Sequence, residues 1–119
     1  MLEIKEYCKD LPIQITNMIN DCKLFLQSKD INVEDKVIIK RYSAGSKFAQ
    51  CYTVLQPNMV KTCICGGNSG LGIVPLSHYK EQTINFPIGT NNIKEFDFEL
   101  FKSIPQLYYL GTKDCYVYM

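Results

Sequence analysis

The chain has no tryptophan, one histidine (His78), one arginine (Arg41) and no acidic residue between Lys36 and Lys80. Each scarcity narrows the field. A lone imidazole gives weak support to a zinc site, even with Cys51, Cys63 and Cys65 as partners, because the spacing fits none of the common zinc modules. Apolar runs extend only a few residues, far short of the ~20 that a membrane-spanning helix needs. The stretch from Met1 to Tyr7 lacks the basic-then-apolar order of an export signal, so a cytoplasmic protein without membrane contact is expected. There is no low-complexity tract, no repeat, and neither a Rossmann fingerprint nor a Walker A pattern. A lack of tryptophan beside abundant Lys, Ile, Asn and Tyr is typical of AT-rich coding and suggests a viral or mobile-element accessory protein.

What is present describes a folded unit. At 119 residues, 46% hydrophobic and 21% charged, the chain has the size and composition of a single domain spanning residues 1–119. Six cysteines are expected to be reduced, with Cys22 on an apolar helical stripe and Cys51 in a strand-like run. The near-neutral total charge of +1 hides a block pattern: residues 1–35 carry −3, residues 36–80 carry +6 and residues 81–119 carry −2. A cationic centre between acidic flanks points to an anionic ligand or an acidic partner. The bland reading is a solvated sheet face, since strands are poor in acids anyway.

Hydrophobic spacing predicts a helix over 11–27, with Leu11, Ile15, Met18, Ile19, Cys22, Phe25 and Leu26 on one face, Asp10 as N-cap and Pro12 in the first turn. Ile13 and Leu24 fall off that stripe and widen the apolar surface. Val37 to Ile39 reads as a strand, with a helix over 33–42 as the alternative. Ser43 to Ser46 reads as a turn, Phe48 to Leu55 as the returning strand of a hairpin and Met59 to Cys65 as a third strand. Further expectations are a brief strand at Ile73 and Val74, another from Thr83 to Phe86, and a second helix near 92–104 capped by Asn92 and Glu95. Phe96 to Leu100 also alternates, which leaves a strand open there. A closing hairpin pairs Gln106 to Leu110 with Cys115 to Met119. The predicted class is therefore α+β, an amphipathic N-terminal helix on an antiparallel sheet.

The candidate ligand site combines charge, stacking and glycine-rich backbone. Arg41, Lys47, Lys61 and Lys80 are the charge partners, Tyr42 and Tyr79 the stacking surfaces, and Gly66, Gly67, Asn68, Ser69 and Gly70 the loop whose N–H groups can converge on an anion, with His78 nearby. A flexible connection explains the same glycines without any ligand. The expected function is binding or sequestering a small anionic ligand such as a nucleotide, with no cofactor, no metal and no catalytic residue; duplex DNA is disfavoured because the acidic flanks repel long polyanions. The alternatives are a protein–protein inhibitor or accessory factor and, third, an enzyme using Cys63 or Cys65 with His78. A homo-oligomer is expected, with Ile13, Leu24, Leu107, Tyr109, Tyr116 and Tyr118 at the interface, because both faces of the C-terminal hairpin are apolar or aromatic.

Overall fold

A computed structural model describes residues 2–67 and 72–112. The first element, α1, runs Leu2–Gln27 and contains Pro12 in its interior. It starts well before the predicted N-cap at Asp10. β1 (Val37–Tyr42) follows, then α2 (Ala44–Leu55), a 3-10 turn (Pro57–Met59) and β2 (Val60–Gly66). A short ribbon, β3 (His78–Tyr79) with β4 (Gln82–Thr83), precedes α3 (Phe98–Ser103) and β5 (Gln106–Tyr109).

The fold is mixed α and β, but the main sheet is parallel, in the order β1-β2-β5. The antiparallel expectation is corrected, and the cause is local. Residues 48–55 belong to helix α2, so the chain crosses over and returns in the same direction as β1, as parallel pairing requires. Among the described residues only the β3–β4 ribbon is antiparallel. Residues 37–42 are strand, which decides against the helical alternative there. The helix expected near 92–104 shrinks to Phe98–Ser103, and its N-cap is Asp97, whose Oδ1 accepts from Leu100 N–H at 2.9 Å. Asn92 instead receives Phe86 N–H on its Oδ1 at 2.7 Å. Ile73 and Val74 form no strand, and the strand at Thr83 to Phe86 is limited to the end of β4. Gln106–Tyr109 is a strand as expected, yet its partner is β2; residues 115–119 of the proposed hairpin lie outside the described residues.

Cross-strand register divides the sheet into two faces. On the near face Ile39 stands beside Cys63 and Cys63 beside Gln106, while Cys65 joins Arg41 to Tyr108. That face meets α2, and the core there gathers Ala49, Tyr52, Met59, Val60, Cys63, Cys65 and Ile104. From α1, Ile15 and Ile19 pack against the same core, and Thr16 Oγ1 lies 2.7 Å from Tyr52 OH. The far face carries Ile38, Lys40, Tyr42, Thr62, Ile64, Leu107 and Tyr109. Of these Ile38, Tyr42, Leu107 and Tyr109 are exposed, as are Ile13 and Leu24 on α1.

Candidate functional site at the strand ends

β1 delivers the chain to the C-terminal edge of the sheet, and α2 begins one residue later. The joint is Ser43, with φ 57° and ψ −128°. This is the first central position of a type II′ turn, which glycine adopts freely and an L-residue occupies at a cost of about 1–3 kcal/mol. The surroundings hold it there. Ser43 N–H donates to Gly66 O at 2.8 Å, and Ser46 N–H donates to Ser43 O at 2.9 Å. The buried Ser46 hydroxyl lies 2.8 Å from Gly66 O and 3.1 Å from Arg41 O, so one proton ties together both strand ends. Gly45 completes the turn: a Cβ there would sit 2.7 Å from Arg41 Nε, which folds over it.

Held in this way, Ser43 is exposed and makes no side-chain capping bond to α2. The first turn of α2 contains no acid. Its leading N–H groups, which have no intrahelical partner, leave a partial positive charge beside the serine. Such an arrangement presents a hydroxyl and a set of backbone donors to the same small volume.

The same edge collects several residues singled out from the sequence. Arg41 and Tyr42 end β1, and Gly66 ends β2. Gly67, at φ 57°, donates its N–H to Tyr109 O at 3.0 Å and lies close beneath Tyr42, whose Cε2 would be 2.7 Å from a Cβ there. The Tyr109 ring covers Gly66. Ligands of parallel sheets bind at the carboxyl ends of the strands, which is where these groups meet.

The other predicted ligand residues stand apart from this group. Lys61 is near the start of β2, at the opposite end of the strand, and pairs with Glu34. Lys47 reaches from α2 toward Pro87 O at 3.5 Å. His78 and Tyr79 form β3, where His78 Nδ1 is 2.9 Å from Ser77 Oγ, and Lys80 lies over the Tyr79 ring at 5.6 Å. Asn68, Ser69 and Gly70 lie outside the described residues, as do Tyr116 and Tyr118.

The thiols of Cys63 and Cys65 share the near face, 3.6 Å apart. Burial pushes the Cys65 thiol up to about 12, helped by its hydrogen bond and charge coupling to Cys63. It is a poor nucleophile at neutral pH, because the thiolate is the reactive form. Among the described residues no three His, Cys, Asp or Glu side chains are grouped so as to hold a metal ion. Free thiols are found at Cys22, Cys63 and Cys65. No described helix is long and apolar enough to cross a membrane.

Ser43, at the head of a helix that the sequence reading took for a strand, is the residue it missed. The signal was present as helical spacing of Ser46, Ala49, Gln50 and Thr53, all buried. Because three of the four are polar, that stripe did not register as hydrophobic. No protein-family model matches this chain, and no curated protein or solved structure is significantly similar to it.

Proposed function

We propose that the β1–Ser43–α2 turn is a nucleophile elbow and that the protein acts in acyl transfer or ester hydrolysis through Ser43. The observation that carries this reading is the strained Ser43 backbone at a strand-to-helix joint, a geometry that lifts a serine hydroxyl clear of the sheet in hydrolases built on parallel strands. In the reaction, Ser43 Oγ attacks an ester carbonyl carbon and passes its proton to solvent water or to an added base such as imidazole. The carbonyl oxygen becomes an oxyanion beside the N–H of Ala44, the residue after the nucleophile. Collapse expels the alcohol, which takes up a proton, and water then cleaves the acyl-serine.

Two features depart from the usual pattern. Arg41 stands where the first glycine of Gly-x-Ser-x-Gly is found, and the single histidine, His78, bonds Ser77. In the chain order of such sites an acid and then a histidine follow the serine. Here the order is not met, because His78 precedes every acid that follows Ser43 in the sequence.

The test is labelling with a fluorophosphonate, read by intact mass and peptide mapping, with and without added imidazole as a base in trans. A single adduct on Ser43, absent in Ser43→Ala, is expected. Ser43→Gly should also abolish labelling while raising stability by about 1 kcal/mol, since it relieves the positive φ. Labelling that is absent, or equal in wild type and Ser43→Ala, overturns the reading.

A second reading keeps the small anionic ligand, nucleotide-like, at the same edge. It is favoured by Arg41, Tyr42 and Gly67 meeting beside an acid-free helix start. A rise in melting temperature with nucleotides that Arg41→Ala removes, without any fluorophosphonate adduct, would select it. The exposed apolar far face supports self-association in either case, and the free thiols support a cytoplasmic setting.

A further inference from the structure

A cleft of about 430 Å³ opens beside β5, walled by Gln50, Cys65, Ile73, Phe101, Tyr108 and Leu110 among others. Its volume falls within the roughly 300–1,000 Å³ of small-molecule sites. No lining residue is charged. An ionic ligand would therefore lose its hydration without gaining a counter-charge, which selects for neutral ones.

Gln50 supplies the specific feature. It is only 4% exposed, and its Oε1 accepts from Ile73 N–H at 3.1 Å. That bond fixes the orientation of the amide, because the opposite orientation would set two donors against each other. Among the described residues, Nε2 is left as a buried donor with no acceptor. Its neighbours on the cleft wall are committed elsewhere: Tyr108 OH donates to Gln106 Oε1 at 2.6 Å, and Cys65 Sγ donates to Ser46 O at 3.6 Å. A buried amide donor without a partner is a standing cost that an incoming acceptor removes.

We propose that this cleft binds a neutral, mainly apolar small molecule whose carbonyl-type oxygen accepts from Gln50 Nε2. The cleft shares Tyr109 with the strand-end edge described above, but its proposed ligand does not depend on the chemistry of Ser43. Aromatic and aliphatic walls take the body of the ligand, and the single amide fixes its orientation.

Acetophenone and ethylbenzene have similar shapes, and only the first carries a carbonyl. Titrating each into isotope-labelled protein, acetophenone should shift the Gln50 side-chain amide and the Ile73 backbone resonances and bind at least about tenfold more tightly than ethylbenzene. Gln50→Glu keeps an acceptor for Ile73 N–H and deletes the donor, so at neutral pH the preference should vanish. Should that variant fail to fold, Leu110→Trp, at an exposed position on the rim, fills the cleft and should abolish binding of both compounds. Equal affinities for the two compounds, binding that survives Leu110→Trp, or no shift up to the solubility limit of acetophenone would each overturn the proposal.

Discussion

The two faces of the sheet are finished to different degrees. On the near face α2 closes over Cys63, Cys65 and Ile39, and Tyr52 is fully buried. On the far face Ile38 is 63% exposed and Leu107 55%. Parallel sheets are ordinarily covered on both faces, and here the far face leaves apolar side chains exposed among the described residues. Near-face packing therefore supplies the core.

That contrast can be broken most decisively by truncation. Tyr52→Ala should cost about 3–5 kcal/mol in urea unfolding, since it empties a filled site and strands Thr16, while Ile38→Ala should stay within about 0.5 kcal/mol if the far face is bare. A cost above 1 kcal/mol for Ile38→Ala would mean that something covers it in solution. Sedimentation velocity addresses the same point directly. A species at least twice the 13.7 kDa chain mass is expected, and Leu107→Glu should dissociate it without unfolding the subunit. A monomer at high concentration would remove self-association as the covering layer.

Smaller effects sharpen the near-face side of the comparison. Ser46→Ala should cost about 1–3 kcal/mol, because the Gly66 and Arg41 carbonyls lose a shared buried donor. High pH should weaken the same face. The folded Cys65 thiol titrates near 12 against an ordinary 9.0, so its contribution is intact below about pH 9 and is lost as the pH climbs from there toward 12. Melting temperature measured across that range should fall, and Cys65→Ala should flatten the decline. Asp97→Ala should remove about 1 kcal/mol by uncapping α3, leaving both faces otherwise unchanged.

How much of this was legible beforehand depends on where apolar residues lie. The existence of a helix through 11–27 and of strands near 37 and 60 was legible, because Ile15, Ile19, Ile39, Val60 and Cys63 follow the spacing of the faces they bury; the N-cap at Asp10 and the full stripe were not, since α1 begins at Leu2 and Met18, Cys22 and Phe25 are exposed. Helix α2 was misread because Ser46, Gln50 and Thr53 line its buried side: Ser46 donates to the Arg41 and Gly66 carbonyls and Gln50 Oε1 accepts from Ile73 N–H, partners that only the folded chain brings near, while Thr53 bonds Ala49 O within the helix. That single misreading made the sheet antiparallel and turned Ser43 into an ordinary turn residue. Of the candidate site, Arg41, Tyr42, Gly66 and Gly67 were found through charge and glycine content. Lys61, Lys80 and His78 were grouped with them only because they are near in sequence, and sequence proximity does not determine which end of a strand a residue occupies.

The connectivity of the sheet also sets an order of assembly. β1, α2 and β2 lie within residues 37–66, whereas β5 reaches β2 only after a connection spanning residues 67–105. The short crossover can close before the long one, since chain entropy opposes distant pairing more strongly. Folding should therefore begin with the unit that carries Ser43, with β5 docking late. Ala49→Gly should slow refolding, while a substitution at the β5 position Leu107 should act mainly on unfolding.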